Sequence, residues 1–446
     1  MSWQEDYRRK VVSIEDAAKL VQSGDMVVTA LGVGACSPDI YNAILDRHEE
    51  LEDVVISDTV QLRPCKLYDP DFMAQIDGRI NHAPAFGMIT IRKMHRAFLS
   101  DFFPAATSDA GDKYAETANV FIVMVTPPNK QGYVNLGLTN FYTPRAIREG
   151  RERGNLRIAI AEVNDQMPVI FGDNWLHISE FDYFVENSTP LPVSQRGQAK
   201  ETEKAIGQYV LELINDGDTI QMGLGGISET VVGGLEGKHD LGVISEMLPV
   251  GLDQLVAKGI VTNARKKLHK GKTLATFCVG DMNLYRFAEE NPTVEFYPAE
   301  YTTNPTFLAQ HDNLIAMNSA IMVDFSGQIN SEGVGHRQIS GSGGQLDFML
   351  GAYWSKGGKG ITLLTSTQKQ SDGSIISSIV PELPPGSPVT VPRTFADYVI
   401  SEYGIARLKY KTRRQRAAEL IAIAHPDLRG ELRNSLRKNF YPAQKN

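Results

Sequence analysis

Apolar and polar positions follow two patterns along this chain. Short apolar runs, such as Val120–Val125 and residues 320–325, have the length and β-branched content of buried strands. Stretches such as residues 201–213 and 346–353 instead carry apolar residues at helical spacing. Because strands alternate with helices along the chain, the sequence predicts an α/β fold with mostly parallel sheets flanked by helices.

The pattern occurs twice. A helix, a Gly-Asp stop, a short strand and a glycine turn fill residues 17–34, and the same succession fills residues 209–227. Two further matches keep a similar separation of about 190 residues: Val-Ile-Ser-Asp at 55–58 with Val-Ile-Ser-Glu at 243–246, and residues 132–135 with 327–330. We therefore predict two tandem similar domains.

A boundary between the domains is predicted near residues 190–198, which are rich in proline, glycine and polar residues and lack periodicity. The predicted domains are residues 1–193 and 194–446. Two domains of this kind leave a cleft between them, which is a usual place for a ligand.

The amino-acid composition limits the classes of protein to which this chain can belong. The chain has 446 residues, of which 42% are hydrophobic and 22% charged, as in folded proteins. Its net charge of -8 argues against a nucleic-acid partner. No apolar run reaches the length of a membrane span, the start does not resemble a signal peptide, and three scattered cysteines form no disulfide framework. The histidines lack metal-ligand spacing, so we expect no metal site, and a cytoplasmic enzyme fits this composition.

Glu246 is the strongest candidate for chemistry. It ends the apolar run 243–245, shortly after a glycine-rich turn at residues 223–227. In open α/β sheets, ligands bind beyond the carboxyl ends of the strands. A carboxylate beside bare backbone amides is suited to a substrate that develops negative charge, although a solvated glutamate beside a tight turn would give the same pattern. Its counterpart in the first half is Asp58.

A second glycine-rich segment, residues 341–344, precedes the predicted helix 346–353. Glycines there allow backbone N–H groups to approach an anion closely at the helix N-terminus. The segment is not a Walker A loop, because no Gly-Lys-Ser/Thr follows. A tight strand-to-helix turn remains the alternative.

Several motifs stand in a fixed order: Gly-Leu-Gly-Gly-Ile at 223–227, Ile-Ser-Glu-Met at 244–247, Tyr-Pro-Ala-Glu-Tyr-Thr-Thr-Asn-Pro at 297–305, and Gly-Ser-Gly-Gly-Gln-Leu-Asp-Phe at 341–348. With residues 162–168, 401–406 and 424–429, they resemble the acetyl-CoA hydrolase/transferase family, and most closely its 4-hydroxybutyrate and butyryl-CoA:acetate CoA-transferase branch. The resemblance covers nearly the whole chain.

The resemblance implies a CoA-transferase-like fold, an active site between the domains, and a homodimer. It implies an enzyme that moves coenzyme A from a short-chain acyl-CoA to acetate or another small carboxylate, with the thioester as substrate and no permanently bound cofactor. Glu246 falls on the family's covalent residue, and Gly225, Gly226, Asn304 and Glu402 become candidates for the oxyanion hole or the carboxylate substrate. The implied CoA contacts are Gly223, Leu224, Gly225, Gly226, Ile227, Ile321, Gly344 and Lys369.

The chemistry suits these residues. A carboxylate that attacks a thioester gives an acyl-glutamyl anhydride, and the released thiolate then gives a glutamyl-CoA thioester. Both species are activated, so no ATP is needed. Two alternatives remain: an acyl-CoA thioester hydrolase on the same scaffold, and a non-catalytic sensor of CoA or a sugar phosphate.

Overall fold

The computed structural model describes residues 2–76, 78–194, 199–223, 225–370 and 372–441. Leu224 lies outside these ranges. Residues 195–198, which are part of the predicted boundary, also lie outside them. The boundary after residue 193 therefore stays a prediction.

The first half is built on a six-stranded sheet in which every neighbouring pair runs parallel. The two longest strands, Val120–Val125 and Ile158–Val163, lie side by side and are buried along their whole length. Helices cover both faces of a parallel sheet, so such strands are largely apolar. The order across the sheet is Ile80–His82, Val54–Ser57, Met26–Thr29, Val120–Val125, Ile158–Val163, Tyr183–Glu186.

The second half repeats this arrangement. Across its six-stranded sheet the order is Gly242–Val243, Thr219–Met222, Leu314–Ser319, Lys359–Leu363, Tyr398–Ser401, Gly404–Arg407. All pairs are parallel except the last, a hairpin that ends the sheet. The predicted α/β fold of two similar halves is confirmed.

One strand lies elsewhere than its apolar run suggests. The counterpart of Val120–Val125 in the second sheet is Leu314–Ser319, whereas residues 320–325 contribute Met322–Asp324 to a small side sheet. Apolar residues dominate both segments on either side of Asn318 and Ser319, so the sequence does not mark which part enters the main sheet. The match of 132–135 with 327–330 holds locally, because Tyr133–Asn135 and Ile329–Asn330 are both strands.

Helices cover the sheets. The predicted helices 201–213 and 346–353 correspond to Glu201–Leu211 and Gln345–Trp354. The remaining α-helices are Trp3–Lys10, Ile14–Lys19, Pro38–Leu45, Pro70–Gln75, Arg92–Arg96, Ala110–Thr117, Thr143–Glu152, Gly226–Gly234, Leu252–Ala257, Met282–Ala288, Ala299–Thr302, Pro305–Leu308, Arg413–Ala422 and Arg429–Phe440. The shorter strands are Phe171–Gly172, Trp175–His177, Thr273–Ala275, Val294–Phe296, Gly333–Val334, Arg337–Gln338, Thr367–Lys369, Ile375–Ser377 and Ile379–Val380.

The two halves are joined by backbone pairing. Phe171–Gly172 of the first half pairs in parallel with Val294–Phe296 of the second. Gly172 has φ +107°, and a Cβ there would lie 2.2 Å from the carbonyl oxygen of Phe296, so only glycine fits. Next to this sheet, the N–H of Asn140 donates to the carbonyl of Thr276 at 2.9 Å. Strand pairing and a shared apolar core thus fix the halves against each other.

Over the described ranges, no helix combines the length and the apolar character that crossing a bilayer needs. Over the same ranges, no three histidine, cysteine, aspartate or glutamate side chains cluster as metal ligands would.

Candidate active site

A cavity of about 430 Å³ lies between the halves, at the carboxyl ends of the second sheet's strands. Met222, Ser319 and Leu363, which end three of those strands, line it. The first half closes the other side with mainly apolar and aromatic groups: Val60, Phe86, Met88, Thr107, Tyr114 and Tyr142. The cavity thus needs both halves.

Glu246 lines this cavity and is partly exposed toward it. The backbone N–H of Gly344 donates to its Oε2 at 2.8 Å. Burial raises the pKa of Glu246 to about 7, the charge of Asp347 adds to the rise, and the Gly344 hydrogen bond opposes it. The backbone of Glu246 is fixed, because the N–H and the hydroxyl of Thr276 donate to its carbonyl at 2.9 and 2.6 Å. The arrangement holds a weakly solvated carboxylate that is partly ionised near neutral pH.

Gly344 can approach Glu246 because it has no side chain. A Cβ at this position would lie 2.5 Å from Oε2 of Glu246, which is closer than real contacts allow. The loop 340–344 also rests on the first half: a Cβ on Gly341 would lie 2.6 Å from the carbonyl oxygen of Ala85. The glycines predicted at 341–344 thus serve two close approaches, one to the carboxylate and one to the opposite half.

The turn at residues 223–227 reaches the cavity at its first residue. Gly223 lines the cavity, and so does Ser228 in the first turn of the helix Gly226–Gly234. Gly225 adopts φ +119° and precedes this helix, whereas Gly226 packs against Glu203, whose Oε2 lies 2.3 Å from where a Cβ would be. Gly225, Gly226 and Ile227 are near the cavity along the chain but are not among its lining residues.

Four other predicted residues lie outside the cavity lining. Asn304 caps the helix Pro305–Leu308, and its side-chain oxygen accepts from the N–H of Thr306 at 2.9 Å. This is the alternative role that an asparagine before a proline commonly has. A functional role for Asn304 stays a prediction.

Ile321, Lys369 and Glu402 each follow the carboxyl end of a strand of the second sheet, and the three strands are neighbours. Gln368 donates to the carbonyl of Ile321 at 2.7 Å, and Lys369 follows it as an exposed residue. Glu402 accepts hydrogen bonds from the N–H and hydroxyl of Ser366 at 2.9 and 2.6 Å. Their CoA and substrate roles stay predictions, on the same edge of the sheet as the cavity.

Several cavity residues were not predicted, among them two polar ones. Gln221 and Asn318 lie at the ends of neighbouring strands, and the Nδ2 of Asn318 donates to Oε1 of Gln221 at 3.2 Å. Oε1 also accepts from the N–H of Met317 at 3.0 Å. Their sequence signal is a polar residue inside an otherwise apolar strand. The first-half residues Phe86 and Met88 have no such signal, since they belong to an irregular segment.

Asp58, the counterpart of Glu246, has different surroundings. It is 1% exposed and accepts hydrogen bonds from Gln61 at 2.6 Å, from His82 at 2.9 Å and from the hydroxyl of Tyr68. Burial alone would raise its pKa, but His82 and the hydrogen bonds outweigh burial and hold the pKa below its usual value. Asp58 is a satisfied structural carboxylate.

Known proteins are similar to this chain in sequence and in fold. Residues 1–194 match the acetyl-CoA hydrolase/transferase N-terminal domain, and residues 280–436 match the C-terminal domain. The chain is 37% identical to a 4-hydroxybutyrate coenzyme A transferase from Clostridium kluyveri, over 99% of this chain and 100% of that protein. It is also 37% identical to a succinyl-CoA:cyclohexane-1-carboxylate CoA transferase from Geobacter metallireducens, over 98% and 97%.

Among solved structures, RipA from Yersinia pestis superposes with a TM-score of 0.88 at 31% identity, over 98% of this chain and 99% of RipA. The relatives named as CoA-transferases confirm the predicted enzyme class, an acyl-CoA:carboxylate CoA-transferase. Two domain models and full-length relatives give the same assignment, and the chain belongs to the acetyl-CoA hydrolase/transferase family.

Proposed function

We propose that this enzyme transfers coenzyme A from a short-chain acyl-CoA, such as butyryl-CoA or 4-hydroxybutyryl-CoA, to acetate or another small carboxylate, with Glu246 as the covalent nucleophile. The observation that carries the proposal is the setting of Glu246: a carboxylate facing a cavity of about 430 Å³, contacted by the N–H of Gly344. A poorly hydrated carboxylate is a stronger nucleophile than one in water.

The reaction has two symmetric halves. In the first, a carboxylate oxygen of Glu246 attacks the thioester carbonyl, and the C–S bond breaks to give an acyl-glutamyl anhydride and the CoA thiolate. The thiolate then attacks the glutamyl carbonyl, which forms glutamyl-CoA and releases the donor acid. In the second half, the acceptor carboxylate reverses these steps and Glu246 is regenerated with a new acyl-CoA.

Each tetrahedral oxyanion needs hydrogen-bond donors held in place in advance. The N–H of Gly344 is one such donor, and the amides of Gln221 and Asn318 face the same cavity. We include Gly225 and Gly226 of the turn as further candidates, because their N–H groups belong to the turn and helix start beside Gly223.

The acyl group and the CoA portion would occupy different sides. The aromatic and apolar first-half wall, including Phe86, Met88 and Tyr142, is suited to a short acyl chain. For CoA we propose the glycine turn Gly223 to Ile227, with Leu224 outside the described residues, together with Ile321, Gly344 and Lys369. Carboxylate recognition by Glu402 or Asn304 belongs to the same proposal and rests on the family resemblance alone.

Cellular context is also proposed from the resemblance. We infer a homodimer in the cytoplasm that needs no permanently bound cofactor, since coenzyme A enters as part of one substrate and leaves as part of one product.

Trapping of the covalent intermediate tests the proposal. Butyryl-CoA followed by borohydride should inactivate the enzyme and modify Glu246, as read by peptide mass spectrometry, and Glu246→Gln should abolish both effects. Glu300→Gln is the matched control, because burial also raises the pKa of Glu300 to about 7 and it does not line the cavity. If Glu246→Gln exchanges CoA between butyryl-CoA and acetate at near the parental rate, the mechanism is wrong. If the parent enzyme releases free CoA thiol without acetate, the result favours the hydrolase.

A further inference from the structure

The loop that contacts Glu246 is held from the opposite half of the molecule. Asp347 lies in the first turn of the helix Gln345–Trp354, three residues after Gly344, and is 4% exposed. Its Oδ2 accepts from the N–H of Ser108 and its Oδ1 accepts from the hydroxyl of Ser108, both at 2.9 Å. Ser108 belongs to the first half and directly follows Thr107, which lines the cavity. One buried carboxylate therefore joins the two walls of the site.

Neighbouring contacts along the loop are weaker. The hydroxyl of Ser342 donates to the carbonyl of Ala105 at 3.3 Å, and the hydroxyl of Ser340 donates to the carbonyl of Gly87 at 3.3 Å. Both are longer than the bonds to Asp347 and involve neutral acceptors. Hydrogen bonds to a buried charged group are the stronger kind, so most of the polar attachment of this loop resides in Asp347.

We propose that Asp347 is a positioning residue, which by holding Ser108 keeps the loop 340–344 seated on the first half and the N–H of Gly344 aimed at the reacting carboxylate. The inference rests on the proposed role of Glu246 as nucleophile. Helices move as rigid units, so a shift at Asp347 is transmitted over less than one turn to Gly344. The oxyanion donor on one half thus depends on a contact with the other.

A second effect of Asp347 is electrostatic. Its negative charge and that of Glu246 repel each other, and Asp109 from the first half adds a further like charge near Asp347. Removing the charge while keeping the hydrogen bonds should therefore ease ionisation of Glu246. Asparagine can do this, with its oxygen accepting from the N–H of Ser108 and its amide donating to the hydroxyl.

The matched control is Asp324. It is 3% exposed and accepts from the N–H and hydroxyl of Ser326 at 2.9 and 2.8 Å. Like Asp347, it is a buried carboxylate that accepts from both groups of one serine, and it also accepts from the N–H and the Nε2 of Gln328 at 2.9 and 2.6 Å. Ser326 and Gln328 both belong to the second half, and neither lines the cavity. A purely structural loss should appear equally in both variants.

The experiment compares single-turnover formation of the borohydride-trapped Glu246 adduct in the parent, Asp347→Ala, Asp347→Asn and Asp324→Ala, each normalised to folded protein by circular dichroism. We expect a loss of about tenfold or more in Asp347→Ala, below the about 10²–10³-fold cost of removing one oxyanion donor, because the N–H of Gly344 is displaced and not removed. Asp347→Asn should stay within about threefold of the parent, with the acid limb of its kcat/KM profile moved to lower pH. Asp324→Ala should keep the parental rate.

Two outcomes would overturn the inference: adduct formation in Asp347→Ala within about twofold of the parent, or an equal loss in Asp324→Ala. Where Asp347→Ala does not fold, Ser108→Ala gives the same test, because it removes one of the two hydrogen bonds and should slow adduct formation by about threefold. A parent that forms no adduct at Glu246 overturns the proposed function first, and this inference with it.

Discussion

Asp58 and Glu246 follow equivalent strands in the two sheets, yet their surroundings differ in each respect that governs reactivity. Asp58 accepts hydrogen bonds from three side chains and its pKa is lowered, whereas the pKa of Glu246 is raised to about 7. Among the described residues, the carboxylate of Glu246 accepts one hydrogen bond, from Gly344. A carboxylate whose hydrogen-bonding capacity is filled stabilises a fold, and one left partly unfilled beside a cavity is available to a substrate.

We expect the largest difference in kcat between the two sites when each acid is exchanged for its amide. Glu246→Gln should lower the kcat of CoA transfer by about 10⁴-fold or more, because the amide cannot form the anhydride. Asp58→Asn should leave kcat per folded molecule within about twofold. Steady-state exchange between butyryl-CoA and acetate measures both, and equal losses in the two variants would contradict the division of roles.

Gly344→Ala should give the next largest effect. Its Cβ would lie 2.5 Å from Oε2 of Glu246, so either the carboxylate or the loop must move and the hydrogen bond is lost. We expect kcat to fall by about 10²–10³-fold, as for loss of an oxyanion donor. Gly430→Ala is the control, because a Cβ at that exposed position of the helix Arg429–Phe440 meets nothing within 4 Å and its φ is helical. Near-parental kcat in Gly344→Ala would remove this loop from the mechanism.

For the free energy of unfolding, we expect Asp58 to matter more than Glu246. Asp58→Asn should lower the free energy of unfolding by about 3 kcal/mol at pH 7, since it leaves buried partners, including His82, without their charged acceptor. A carboxyl whose folded-state pKa is lowered stabilises the protein above its unfolded pKa of about 3.9, and this contribution is lost as the pH falls through the folded value. Urea titrations should therefore show the full penalty at pH 7 and a penalty that shrinks as the pH falls below about 3.9.

The smallest effect concerns Glu246 and has the opposite sign. Because its folded-state pKa is raised to about 7 from its ordinary value of 4.5, ionisation costs stability progressively as the pH rises between these values. Glu246→Gln should thus unfold at a temperature a few degrees above the parent at pH 8, and at a similar temperature near pH 4.5. Calorimetry at both values measures the difference. A destabilised glutamine variant at pH 8 would show that the native carboxylate is well satisfied.

The sequence predicted the repeated α/β fold, because strand runs, glycine turns and helix stops are local patterns that both halves carry. It also singled out Glu246 and the glycines at 341–344, since a carboxylate at a strand end and a run of glycines are visible without a structure. It did not distinguish Leu314–Ser319 from residues 320–325, because apolar residues dominate both.

Sequence patterns could not supply the contacts that arise only when the chain folds. Ser108 and Asp347 are 239 positions apart. Asp347 belongs to the motif at 341–348, but nothing in that motif indicates that it binds Ser108. Gln221 and Asn318 meet only because their strands are neighbours in the second sheet. The pKa values of Asp58 and Glu246 likewise differ because the folded chain places His82 and Tyr68 beside Asp58.

The pairing of Phe171–Gly172 with Val294–Phe296 has a consequence for biosynthesis. The first half emerges from the ribosome carrying a strand whose partner has not yet been translated, and the second half expressed alone would expose the complementary edge. Unpaired strand edges promote self-association. Fragments cut near residue 193 should therefore aggregate when produced separately and recover solubility when coexpressed, although the sequence reads as two repeats of one unit.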